Sequence, residues 1–241
     1  MNPPLLTLEG VHTHIGAYHV LQGVDLAVPR GELTLLLGRN GAGKTTTLRT
    51  IMGLWRASRG RLAFDGRDIT ALGTPQIARL DIAYVPENMG IFSALTVAEN
   101  MLLAARGARN AGQIDAARLK WIFSLFPAVE KFWDHPAGKL SGGQKQMLAV
   151  ARAMVEPRRL LIVDEPSKGL APAIVDNMIE AFAQLKASGV TLLLVEQNMH
   201  FAERLGDTVA VMDNGRIVHA GAMEALAQDA ALQRSLLGLA L

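Results

Sequence analysis

The sequence predicts an α/β fold with a mainly parallel sheet, a β-rich antiparallel opening and an inserted helical block, on three observations. Apolar runs at Leu33 to Leu37, Leu160 to Val163 and Val190 to Val195 read as strands buried on both faces. Helix-forming segments precede the last two runs and suit crossovers between parallel strands. From Thr96 to Phe126 the apolar positions shift to a 3.6-residue period, which marks a helical insertion.

In chain order, Leu5 to Val11 and Val20 to Val28 alternate as strands, and Pro29-Arg30-Gly31 turns into the buried strand Leu33 to Leu37. A helix is expected from near Gly43. Arg61 to Phe64, followed by the turn residues Asp65 and Gly66, reads as another antiparallel strand, with Ile82 to Val85 next in line. In the helical block, Val97, Met101, Leu102 and Ala105 share one face, and Leu119, Ile122, Phe123 and Phe126 repeat the pattern. Thr208 to Met212 meets Arg216 to His219 across Asp213-Asn214-Gly215, a strong hairpin signal, and two short helical stretches close the chain.

Composition narrows the functional classes. The 241 residues are 50% hydrophobic, enough for a substantial core in one unit. Net charge is +2 without any run of five or six like charges, which gives no argument for nucleic acid or anionic lipid. There are no cysteines, so disulfides, thiolate metal sites and cysteine nucleophiles are excluded. The start lacks a basic stretch followed by an apolar core, and no apolar run approaches the roughly 18 residues needed to span a bilayer. A soluble, cytoplasmic protein is expected.

Gly38-Arg-Asn-Gly-Ala-Gly-Lys-Thr45 follows directly on a buried strand, and its spacing is that of a phosphate cradle. Polyphosphate concentrates negative charge, so several backbone N–H groups must converge on it, and glycines allow this without Cβ clashes. The expected nucleotide contacts are Gly38, Arg39, Asn40, Gly41, Ala42, Gly43, Lys44, Thr45 and Thr46. Lys44 supplies a point charge for the β- and γ-phosphates, and Thr45 a hydroxyl for Mg²⁺. Asp164-Glu165 ends the apolar strand Leu160 to Val163, where a parallel strand meets a ligand crevice. Asp164 is expected to hold Mg²⁺ through water, and Glu165 to polarise the water that attacks the γ-phosphate. Ser141, Gly142, Gly143 and Gln144 open another helix with a capping serine, a second anion-binding terminus. One chain already holds its own cradle, so this terminus makes sense facing a γ-phosphate held by another copy.

In this order the motifs resemble the nucleotide-binding subunit of an ABC transporter, over nearly the whole chain. The resemblance implies a P-loop NTPase, RecA-like core with its β subdomain over residues 1–86 and 156–241, and a helical signature subdomain over about 87–155. Gly38 to Thr45 corresponds to the Walker A loop, Leu140 to Gln144 to the signature, Leu160 to Asp164 to the Walker B strand, and Ser167-Lys-Gly-Leu170 to the D-loop. ATP and Mg²⁺ are the implied cofactors. Implied partners are a second ATPase subunit, identical or related, in a head-to-tail dimer, transmembrane permease subunits and, indirectly, a solute-binding protein, at the inner face of the cell membrane.

Two positions depart from the usual family pattern. Glu87 stands where a glutamine is usual and still faces metal or attacking water; Gln197 replaces a histidine and can donate to a γ-phosphate without shuttling a proton. Pro86-Glu87 and Glu196-Gln197-Asn198 resemble the ATPases of branched-chain amino acid importers and of similar urea and amide importers. His200 reads as a surface helix residue. For adenine, Ile15 offers apolar contact and Tyr18 offers stacking. The rival reading is a soluble ABC-type ATPase of DNA repair or another non-transport process. Such proteins usually carry a long coiled coil or a second cassette, and neither is present here.

Overall fold

The structure, a computed structural model, describes residues 3–237. Residues 1, 2 and 238–241 of the expected unit 1–241 lie outside the described residues. The chain opens with β1 (Leu6–Ile15) and β2 (Tyr18–Val28), then β3 (Leu33–Gly38) and α1 (Lys44–Ile51). β1 runs four residues past Val11 because His12 and His14 sit on the outer side while Thr13 is buried, so the alternation continues in polar residues. β4 (Ala57–Phe64) and β5 (Arg67–Asp68) fold back across Asp65 and Gly66, both with positive φ. A short α2 (Thr74–Ala78) leads to β6 (Ile82–Val85).

The helical block follows as α3 (Val97–Leu102), α4 (Ala116–Leu125), α5 (Pro127–Lys131) and α6 (Gly142–Ala153). The 3.6-residue pattern from Thr96 to Phe126 is therefore broken. Gly107, at φ 77°, and the 3₁₀ turn Ala111–Gln113 interrupt it, and Asp115 starts a new helix by accepting from the Arg118 amide at 2.6 Å. α3 begins with a reciprocal cap. The Thr96 hydroxyl accepts from the Glu99 amide, and the Glu99 carboxylate accepts from the Thr96 amide at 2.7 Å. The chain then alternates β7 (Leu160–Asp164), α7 (Pro172–Ala187), β8 (Thr191–Val195), α8 (Met199–Leu205) and β9 (Thr208–Asp213). It ends with β10 (Arg216–Ala222), α9 (Met223–Gln228) and α10 (Ala230–Leu237).

Two sheets result. The first is antiparallel, in the order β2-β1-β4-β5; the second runs β10-β9-β3-β8-β7-β6, with only β10 antiparallel. β6 pairs in parallel with β7, Ile82 opposite Leu160, and so extends the parallel sheet and not the antiparallel one. The parallel strands are buried on both faces, which explains their unbroken apolar runs. Leu35, Val163 and Leu194 face a cluster shared with α6, α7, α8 and the helical block, whereas Leu36, Ile162 and Leu193 face the antiparallel sheet and α1. The helical block thus has no separate core of its own; Ile122, Phe126 and Leu148 belong to the cluster that holds β3.

The Asp213-Asn214-Gly215 hairpin does more than join β9 to β10. Asn214 and Gly215 have φ of 45° and 75°, as a two-residue turn of this hand requires. The Gly215 amide donates to the Ala42 carbonyl at 2.9 Å, and its carbonyl accepts from the Gln22 amide at 2.8 Å. One turn residue therefore ties the glycine loop to the antiparallel sheet. A Cβ on Gly215 would collide with the Val20 carbonyl oxygen. Gly215→Ala is expected to destabilise the protein by about 2 kcal/mol or more, lowering the thermal midpoint and weakening nucleotide binding together. Calorimetry and nucleotide titration on the purified variant check this.

Candidate active site

β3 delivers the glycine loop at its C-terminal end, between β8 and β9. Gly38 adopts φ 142°, and a Cβ there would run into the Met212 carbonyl of β9. Gly41 and Gly43 have φ of 82° and 109°, a backbone that side chains rarely adopt. Gly43 is also close-packed: a Cβ would come within 3.1 Å of Leu21. This sequence folds into a loop of exposed backbone at Arg39, Asn40 and Gly41 above buried Ala42, Gly43 and Lys44. The Lys44 ammonium donates to the Gly38 and Arg39 carbonyls at 2.8 and 3.0 Å. Burial lowers its pKa, while Glu165 and Asp164 work in the opposite direction. α1 starts at Lys44 with no side-chain cap, so its first amides point into the loop.

A single cleft is lined by Asn40, Lys44, Thr45, Thr46, Glu87 and Glu165, which brings the sequence-derived phosphate, metal and base candidates together. Asp164 ends β7, only 1% exposed. Its Oδ1 is buried without a hydrogen-bond partner, and its Oδ2 is 3.5 Å from the Tyr84 hydroxyl. Burial pushes the Asp164 carboxyl pKa up, with the neighbouring Thr45 opposing and the Glu165 and Glu87 charges adding to the rise. A buried carboxylate oxygen without a partner, beside a hydroxyl, suits a divalent cation with oxygen ligands. Thr45 and Asp164 therefore fit Mg²⁺.

Glu165 follows in a left-handed conformation, φ 52°, with its amide donating to the Val195 carbonyl at 2.9 Å. Such strain in a non-glycine residue gathers at functional sites, and here it turns the side chain into the cleft. Gln197 Nε2 donates to Glu165 Oε1 and, at 2.9 Å, to Asn40 Oδ1. Glu87 is exposed at the cleft rim.

Ser141 and Gly142 are exposed, while Gly143 is buried where a Cβ would come within 2.6 Å of Ile174 in α7. Ser141 accepts from the Gln144 amide, and Gln144 Oε1 accepts from the Ser141 amide at 2.9 Å. None of these four residues lines the cleft that holds Lys44. Ile15 and Tyr18 are cross-strand partners at the β1–β2 hairpin tip, with Tyr18 79% exposed. Val20 lines the cleft, two residues along β2 from Tyr18, which does not line it. His200 lies exposed on α8 and pairs with Asp176 at 3.1 Å, as a surface residue.

Sequence reasoning assigned no role to four neighbours of this site. Tyr84 lies beside Asp164; burial, then the Asp164 charge, pushes its phenol up to about 12, so it stays a neutral donor. Lys168 joins the cleft rim, and Val20 its wall. Glu196, 1% exposed, accepts from the Ser167 amide and hydroxyl at 2.9 and 2.8 Å and from the Gln197 and Asn198 amides. Burial raises its carboxyl pKa against those hydrogen bonds. The one legible signal was Glu196 itself, an acid directly after a fully buried strand, which needs partners.

Comparison with known proteins bears on this geometry. The family model described as ABC transporter matches residues 21–168. The chain is 40% identical over 214 residues to the high-affinity branched-chain amino acid transport ATP-binding protein BraG of Pseudomonas aeruginosa, covering 89% of this chain and 91% of that protein. An ATP-binding cassette of an ABC transporter, solved in its ADP conformation, is 26% identical with a TM-score of 0.82 and covers 96% of this chain and 97% of its own. A dimeric bacterial ABC transporter cassette shares the fold at a TM-score of 0.80 and 24% identity, over 90% of this chain and 98% of its own.

The raised Asp164 pKa has a consequence for stability. A native state that holds this proton more tightly than the unfolded chain gains from Asp164 at acid pH. The contribution turns unfavourable as pH rises through the folded pKa. Without nucleotide and Mg²⁺, Asp164→Asn should therefore raise the thermal midpoint by about 2–4 °C at neutral pH, with a smaller gain in acid. Melting curves across pH test this, and a lower midpoint at neutral pH would contradict it.

Proposed function

Because this chain belongs to the ABC transporter family, as one of its ATP-hydrolysing cassettes, we propose that it energises import of branched-chain amino acids, or of similar polar solutes, through separate membrane subunits. The cargo reading draws on the likeness to BraG, described as a branched-chain amino acid transport protein, and on Pro86-Glu87 and Glu196-Gln197-Asn198. Among the described residues, no helix is long and apolar enough to cross a membrane. That supports permease subunits as partners, with this chain peripheral at the cytoplasmic face and a solute-binding protein feeding the pore. The short helices between the glycine loop and Ser141 supply no long coiled coil of the kind a repair ATPase carries.

The observation that carries the mechanism is Glu165: strained, 10% exposed at its side chain, and in one cleft with Lys44 and Thr45. Lys44 and the loop amides grip the β- and γ-phosphates. Thr45 and Asp164 hold Mg²⁺, which supplies neutralisation of phosphate charge when bound. Glu165 takes the proton of the attacking water, and Gln197 orients it from the end of β8. Tyr18 and Ile15 contact the adenine at the hairpin tip. The exposed Ser141-Gly142 terminus lies off this cleft, so it completes the site of a second subunit, identical or related, across a head-to-tail dimer.

Glu165→Gln is expected to keep ATP binding, to lower hydrolysis by about 10²- to 10³-fold and to trap an ATP-bound dimer. A monomer by light scattering with saturating ATP would refute the composite site. Lys44→Ala should lose ATP binding in an equilibrium titration, since it deletes the one buried cation beneath the loop.

A further inference from the structure

The carboxylate of Glu87 is already engaged. Lys168 Nζ donates to Glu87 Oε1 at 2.6 Å and lies 3.0 Å from Glu165 Oε2. Gln197 Nε2 holds the other oxygen of Glu165. The Glu165 carboxylate is therefore fixed at both oxygens, by an amide from the loop after β8 and an ammonium from the loop after β7. Lys168 is itself well placed to do this. Its amide donates to the Glu165 carbonyl at 3.2 Å, closing a tight turn, and its neighbour Ser167 is clamped by buried Glu196. Only the far end of Lys168 needs a partner, and Glu87 supplies it from the segment between β6 and the helical block. Hydrogen bonds to Glu87, then to Glu165, hold the Lys168 ammonium above its ordinary range.

We propose that Glu87 is a positioning residue for hydrolysis that acts through Lys168, which sets the Glu165 carboxylate against Gln197. The inference rests on Glu165 being the base. It gives Glu87 a role other than that of a metal or water ligand. It also gives the start of the helical block a direct grip on the base: displacement of residues 86–91 draws on Lys168 and through it on Glu165. The side chains of Glu87 and Lys168 are 48% and 56% exposed, so their pair adds little to folding. Its contribution lies in orientation, where a small misplacement of a reacting group is costly in rate.

A double-mutant cycle tests this, with Glu87→Gln, Lys168→Met and the pair, each verified by an unchanged thermal midpoint. Each single change should lower kcat by about tenfold, and the double variant should be no slower than Lys168→Met alone. KM for ATP, and ATP affinity measured without Mg²⁺, should stay within about twofold of the parent, because the bridge acts on the base and not on binding. Lys168→Arg should recover most of the rate. Hydrogen exchange in residues 165–170 should quicken in Glu87→Gln without turnover. Additive losses, a higher or unchanged kcat, or ATP affinity falling in place of kcat would each overturn the proposal. So would a change in Mg²⁺ dependence on Glu87→Gln in the Lys168→Met background, which marks a direct metal ligand. If Glu165→Gln hydrolyses ATP normally, the base assignment itself fails; if it does not but the cycle is additive, only the bridge fails.

Discussion

Gly38 is the point on which the site depends. It lies where β3 presses against β9, with the Met212 carbonyl in the space that any side chain would need. That close approach lets the chain leave the C-terminal end of β3 and turn at once into the loop and α1. Two strands flank β3, and its leucines are buried on both faces, each contributing about 2 kcal/mol of apolar burial. The loop is held from outside as well, by the Gly215 amide on the Ala42 carbonyl. An anion cradle of backbone amides works only when the amides are already aimed, because ordering them on binding would consume affinity.

Electrostatics at the cleft are unbalanced by design of the fold. Asp164, Glu165 and Glu87 converge on Lys44 and Lys168. Asp164 is buried with one oxygen unpartnered, and Lys44 is desolvated, so each is held at a cost to stability. Conflicts of this kind between local stability and charge are expected where a ligand brings both signs, a polyphosphate and its counter-ion. Gln197 in place of a titratable ring leaves Glu165, the base in the proposed mechanism, as the titratable neighbour of that amide.

The elements that carry chemistry sit at the C-terminal ends of adjacent parallel strands, and buried Glu196 links two of them. Its carboxylate gathers the amides of Ser167, Gln197 and Asn198, so the loop after β7 and the loop after β8 are held by one side chain. Ser141 faces solvent on a helix that packs by Gly143 against Ile174, fixed in position yet open to a neighbour.

Much of this was legible in the sequence because it is local. The glycine spacing of Gly38 to Thr45, the apolar strand ending in Asp164-Glu165, the Asn214-Gly215 turn and the Ser141 cap each follow from neighbouring residues and elementary backbone chemistry. The order of these motifs also named the family. The helical block read from Thr96 to Phe126 is present as separate short helices for a local reason, since Gly107 and the turn at Ala111–Gln113 interrupt an apolar period that continues on both sides. What the sequence by itself determined, then, is the strand-loop-helix that cradles phosphate and the acids that accompany it. Only the tertiary structure decided that Tyr84 stands over Asp164, that Lys168 reaches Glu87 across 81 positions and that Glu196 ties two loops together. Those contacts join residues far apart in the chain, and sheet order and burial, which no local pattern encodes, bring them within hydrogen-bonding distance.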